Sequence, residues 1–155
     1  MSGESRSNAK VLFRVPEEDG SAQVETLWAT ALGDDQYKLE NSPFYAYSVS
    51  WEDTVYAPYD ASAGQATFQR VVKKSGNRTV RVIFDPPAED GNTSDHVLQG
   101  LVALGCSYEG AQRNYIAINI PPEIQLDHVR EYLIAKQANW EHADPSYAEL
   151  YPNAA

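Results

Sequence analysis

The sequence predicts an α+β protein, with a small curved β-sheet or barrel in the first half and a ferredoxin-like split β-α-β lobe in the second. Three observations predict it. Residues 10–84 hold six or seven short runs with period-two patterning, the spacing of small barrels and strongly curved sheets. Residues 85–92, DPPAEDGN, are polar and proline-bearing and read as a connection. From residue 79 onward the order is strand, helix, strand, helix, and the apolar spacing turns helical. The implied organisation is a polar tail over 1–9, a β-rich lobe over 10–84, an α/β lobe over 85–142 and a polar tail over 143–155.

Each element has its own signal. KVLFRVP at 10–16 is the first strand, and residues 17–20 are a turn. In the strand at 23–30, Val24, Thr26 and Trp28 share one face, and Glu25 and Leu27 the other. Gly33, Asp34 and Asp35 turn the chain into a short strand at 37–39. The centre of the first half is NSPFYAYSVSWEDTVYAP, residues 41–58. Its alternation predicts a half-buried strand with Tyr45, Tyr47, Val49 and Trp51 on one face. Glu52 and Asp53 break it, 54–57 resume it and Pro58 stops it. Such an aromatic face has two readings, a core with tyrosine hydroxyls reaching the surface or a groove for a peptide or a base; cores are the commoner use. A strand at 65–72 puts Ala66, Phe68 and Arg70 on one face. Residues 73–77 form a turn, and RTVRVIF at 78–84 is the last strand of the half.

In the second half, Thr93, Ser94 and Asp95 open a helix over 94–104, and Gly105 falls just past its last turn. YIAINI at 115–120 is a strand stopped by Pro121 and Pro122. A second helix runs from about 124–127 to 138, with Leu126, Val129, Leu133 and Lys136 along one face. Residues 140–142 form a final short strand.

Charge is unevenly spread. The chain carries -10 at pH 7, of which residues 1–84 hold -2 and residues 85–155 hold -8. An acidic lobe repels nucleic-acid phosphates and anionic membranes and favours a basic partner, although acidity also serves plain solubility. No apolar run reaches the ~18 residues that span a bilayer. The polar start, MSGESRSNAK, has no signal-peptide core. The lone Cys106 fits a reducing compartment. A cytoplasmic location is therefore expected.

The residues that could carry chemistry do not form a pattern. His96, His128 and His142 lack metal-ligand spacing, so no metal or cofactor is expected. Cys106 follows a helix C-terminus, which disfavours the thiolate, and reads as a small buried hydrophobe. Glu52–Asp53 and Asp34–Asp35 are neighbours whose side chains point apart, so they read as solvated turn residues rather than acid/base pairs. Lys73, Lys74, Arg78 and Arg81 cluster around one turn and offer an anion site, weakened by the surrounding negative charge.

Four segments carry a resemblance: VLFRV near the start, VETLWA at 24–29, NSPFYAYSVSWEDTVYA at 41–57 and SGNRTVRVIF at 75–84. In order and spacing the chain resembles the bacterial family called domain of unknown function 4265, over residues 10 to 140. One departure is Glu52-Asp53-Thr54-Val55, where the family pattern reads glycine-aspartate-x-valine. The resemblance implies a compact bacterial cytoplasmic protein and brings no catalytic residue with it.

The functional expectation is a non-enzymatic, protein-binding protein with a basic partner, most concretely an immunity protein that neutralises a bacterial toxin. The expected contact residues are Asp90, Asp95, Glu109, Glu123, Asp127, Glu131 and Glu141, with Tyr108, Tyr132 and Trp140 as aromatic anchors. The alternative is a small-molecule or nucleotide-binding regulatory module, or an enzyme of unfamiliar type, using the aromatic β face.

Overall fold

The computed structural model describes residues 9–112 and 114–153, and the expected tail at 1–9 lies outside it except for Ala9. In order the chain forms β1 (Ala9–Pro16), β2 (Ala22–Gly33), β3 (Gln36–Leu39), β4 (Thr54–Tyr56), β5 (Tyr59–Asp60), β6 (Gln65–Ala66), β7 (Arg70–Lys73), β8 (Arg78–Ile83), α1 (Thr93–Ala103), β9 (Ser107–Gln112), β10 (Tyr115–Ile120), α2 (Leu126–Ala135), β11 (Asn139–Asp144) and α3 (Tyr147–Leu150). It is mostly β, built on two open antiparallel sheets. The first runs β1-β2-β3-β4-β7, the second β11-β8-β10-β9, and β5 and β6 pair as a small ribbon. A single bridge, Leu12 to Thr67, ties the β1 edge to the chain after β6.

Alternation builds the first sheet. Val11, Phe13, Leu27, Ala29, Leu39 and Val55 point inward and form one core with Ala46, Val49 and Ala57. Val24 and Trp28 point outward, as the parity of the strand requires, and stay about half exposed. Asp34 and Asp35 both take positive φ in the β2–β3 turn, a conformation Asp tolerates better than most residues. The expected strand at 65–72 is two pieces, β6 and β7. The break at 67–69 shifts the parity, so Ala66 and Phe68 face the core while Arg70 is exposed.

The second sheet has one face under helices. Val80, Val82, Ile116, Ile118 and Ile120 pack against Val97, Leu98 and Leu101 of α1 and Val129 and Leu133 of α2. This is the arrangement expected from helical spacing over a sheet that pairs β8 with β10. The helix boundaries follow local chemistry. Asn92 caps α1 by accepting the Asp95 amide, so the helix starts one residue before the expected Ser94. Gly105 takes φ 110° past the C-terminus, where a Cβ would press on Ile124. Helix α2 stops at Ala135, which leaves Lys136 exposed as its cap rather than on the packed face.

Four elements depart from the sequence reading. The change of sheet falls at residues 74–77, upstream of 85–92, because β8 pairs with β10 and β11 and not with β7. Residues 107–112, without a strand signal, form the edge strand β9. The short strand expected at 140–142 extends to Asp144, and Ser146 caps α3 with a reciprocal Glu149 contact, so the expected tail at 143–155 is partly ordered structure. The largest change is the central stretch. Residues 41–53 form no strand, and only Thr54–Tyr56 joins a sheet. Val49 is buried while Tyr45 and Tyr47 stay 40–45% exposed, so the expected aromatic face does not exist.

Gly100 offers a test of helix packing. A Cβ there would lie 1.9 Å from the Tyr132 hydroxyl, which donates to the Val97 carbonyl. Gly100→Ala gains helix propensity of about 1 kcal/mol, yet overpacking costs about 1–3 kcal/mol. Urea denaturation is expected to show net destabilisation by Gly100→Ala, relieved when Tyr132→Leu is combined with it.

Candidate functional site

The irregular 41–53 segment lies against the second face of the β8–β10 pair, and charged side chains satisfy its backbone. The Glu25 carboxylate, 7% exposed on the inner face of β2, accepts the amides of Phe44, Tyr45 and Ala46. Glu109 on β9 accepts the Ser42 amide and the Asn41 side chain. Arg81 on β8, 1% exposed, donates to the carbonyls of Pro43 and Tyr45 and, at 3.2 Å, to Glu141 on β11. Its guanidinium also lies 4.7 Å from the centre of the Tyr47 ring. The Tyr115 hydroxyl donates to the Phe44 carbonyl, and burial pushes its pKa up to about 12. Buried backbone groups need partners, and here both sheets lend them.

The tightest part of the seam is ionic. The Lys74 ammonium donates to Asp53 at 2.7 Å, to Asp144 at 2.6 Å and to the Ser48 carbonyl at 3.1 Å. Asp53 is fully buried and also accepts the Ser50 and Ser75 amides. Ser50 Oγ, fully buried too, contacts Asp144 and lies 2.7 Å from the Thr79 hydroxyl. Burial pulls the Lys74 pKa down, but hydrogen bonds and charge from Asp144 and Asp53 outweigh it, and the net shift is upward. Ser50 is sealed from solvent, and this hydroxyl–carboxylate–amine array ties the seam segment to β8 and β11. Three of the four cations read as a basic cluster at 73–81 are spent in the same way, and Lys73 is exposed. Lys74 and Arg81 serve the seam, and Arg78 donates to the carbonyls of Pro121 and Ile124. Asp53, expected as a solvated turn residue, is the seam's central acceptor.

The ten residues expected at a partner surface fall into separate groups. Asp90, Asp95 and Tyr108 come together around a cleft of about 420 Å³ between the 88–95 segment and β9, floored by Leu98 and Ile116. Glu123, Asp127 and Glu131 are exposed on α2 and the loop before it. Trp140 and Glu141 sit on β11, at the other edge of the sheet, about 14 Å away across three strand spacings. Glu109 and Glu141 are engaged in the seam, and Tyr132 fastens α2 to α1, so these three are structural. Sequence reasoning missed Glu25, Lys74 and Asp144 as seam residues. A glutamate on the apolar face of a strand was the one available hint.

Cys106 packs in the helical core, where burial pushes its thiol up to about 11. Among the described residues no three His, Cys, Asp or Glu gather as a metal ion would need, and no helix is long and apolar enough to cross a membrane.

Fold and seam together define a mostly β protein of two open sheets, joined by a polar seam and covered on one outer face by helices. The chain belongs to the family described as Domain of unknown function (DUF4265), whose profile matches residues 25–143. In structure it is similar to a hypothetical protein from Neisseria gonorrhoeae, with a TM-score of 0.72, 16% identity, and coverage of 95% of this chain and 99% of that one. At that identity the likeness concerns the fold alone. No curated protein matches the chain.

Removing the Lys74 charge tests the ionic seam. Lys74→Met leaves two carboxylates facing each other in the seam. Its expected cost is about 2 kcal/mol, below the 3–5 kcal/mol of a fully buried pair because the Lys74 side chain is 45% exposed. Because the folded pKa lies above 10.5, the wild-type contribution is complete below pH 10.5 and is lost as pH rises through the folded value. Urea denaturation between pH 8 and 11.5 is expected to show the gap between wild type and Lys74→Met shrinking only at the alkaline end.

Proposed function

We propose that this protein is a binding protein for a basic protein partner, acting in the cytoplasm without catalysis. The most concrete form of that reading is an immunity protein that blocks a bacterial toxin. One observation carries it: Asp90 before α1, Asp95 in its first turn and Tyr108 on β9 line a single cleft at the β9 edge. Tyr108 is 44% exposed, a ring of the kind that anchors interfaces, with carboxylates around it to steer and align a cation. The Asp95 carboxylate already accepts from the Gly91 amide and Gln99, which fixes its position at the start of α1. The -8 carried by residues 85–155 would draw a basic partner to this lobe. The burial of the lone cysteine, Cys106, agrees with a reducing compartment. We read the second sheet with its two helices as a ferredoxin-like lobe. The order β8, α1, β9, β10, α2, β11 and the lateral order β11-β8-β10-β9 support that reading.

The test is binding to the product of the neighbouring reading frame, measured by surface plasmon resonance at about 50 and 300 mM salt. Asp90→Lys combined with Asp95→Lys is expected to slow association and flatten its salt dependence. Tyr108→Ala is expected to speed dissociation about tenfold, the equivalent of 1.4 kcal/mol. A neighbouring product without toxin activity removes the immunity reading. A partner whose binding ignores all three residues removes the β9-edge site.

A further inference from the structure

The opposite edge of the same sheet carries a larger cleft, of about 780 Å³, between β11, α2 and α3. That volume lies in the range of small-ligand sites. Its wall is a run of rings: Tyr147 and Tyr151 at 4.8 Å, Tyr151 and His142 at 6.4 Å, and His142 and Trp140 at 4.7 Å between centres. Ile134 and Tyr147 line it with more than half of their surface exposed. We propose that this cleft binds a small planar aromatic molecule bearing a negatively charged group, with Arg130 holding the charge and the rings of Trp140, Tyr147 and Tyr151 packing on its body.

Three observations select that chemistry. First, Arg130 is one of only three Lys or Arg in residues 85–155, and it lines this cleft. Its pair with Asp127, at 3.6 Å between side chains 36% and 75% exposed, is weak and exchangeable. Second, the nearby carboxylates are taken. Glu141 accepts from Arg81 and from the Tyr47 hydroxyl, and Glu149 from Ser48 and the Ser146 amide. The cleft therefore presents a cation whose one ion-pair partner among the described residues, Asp127, is exposed and exchangeable. Third, His142, itself a ring of this wall, is 7% exposed, and its Nδ1 is buried without a hydrogen-bond partner. Burial, then the Arg130 charge, hold its pKa below the usual 6.5, so at neutral pH it adds no charge of its own. Orphaned buried polar atoms of this kind are rare and concentrate at working sites. The cleft is separated from the β9 edge by the width of the sheet, so either reading can fail without the other.

The experiment is a titration of isotope-labelled protein with indole-3-acetate, indole and tryptamine, which share a ring and differ in charge, followed by amide and histidine shifts at pH 7.5. Saturable shifts confined to Ile134, residues 140–142 and residues 146–151 are expected. The anion is expected to bind at least threefold more tightly than indole, and indole more tightly than tryptamine. Arg130→Gln is expected to abolish the preference for the anion while keeping indole binding, and Tyr151→Ala to weaken all three. The proposal is overturned if the anion gives no saturable shifts at the cleft, if tryptamine binds as tightly as indole-3-acetate, or if Arg130→Gln leaves the order unchanged.

Discussion

The structure depends on one ammonium group held between two carboxylates. Lys74 lies between the sheets in the chain, Asp53 ends the irregular segment and Asp144 ends the last strand. Two carboxylates this close and this buried repel each other unless a cation sits between them. Closing the triad therefore requires the first sheet, the seam segment and the C-terminal strand to be in place together. Long-range closure of this kind adds little net energy after desolvation, but it is directional. It fixes how the sheets sit, which two greasy faces would leave loose.

The same logic explains why residues 41–53 are irregular. A strand would satisfy its amides and carbonyls through a neighbouring strand. Here Glu25, Glu109, Arg81 and Tyr115 take those places from both sides. The consequence is a protein with two separate apolar cores, one inside the first sheet and one under the helices, and a polar layer between them. Thr79, Arg81 and Asn119 are buried on the seam face of strands whose other face is Val and Ile. Both faces of β8 and β10 are therefore covered, for different reasons.

The elements were legible where a single face decides the pattern. Val80 and Val82 against Ile116 and Ile118, with Val97, Leu101, Val129 and Leu133 at helical spacing, specify the helical half. The alternating aromatics of 41–53 fit a strand, whereas the segment's conformation is set by residues far along the chain, such as Glu25 and Glu109. Strand β9, SYEGAQ, has no apolar alternation because one of its faces meets polar seam groups and its edge meets solvent. For the site, residue type alone drew Asp90, Asp95 and Tyr108 into the same set as Glu109, Tyr132 and Glu141. Only topology separates an exposed edge from a seam, and strand order is not written in local sequence.

A rigid seam also suits the functional readings. It holds β9 and β11 at opposite edges of one sheet, each flanked by a helix or its connecting segment, so two clefts of different chemistry keep fixed shapes. The most direct measurement of the central claim is a double-mutant cycle between Lys74→Met and Asp144→Asn, read by urea denaturation at pH 7.5. The account predicts that the second substitution costs far less once the first is made, with a coupling above about 1 kcal/mol. Additivity within about 0.3 kcal/mol would contradict it and leave the two apolar cores as sufficient to hold the sheets together.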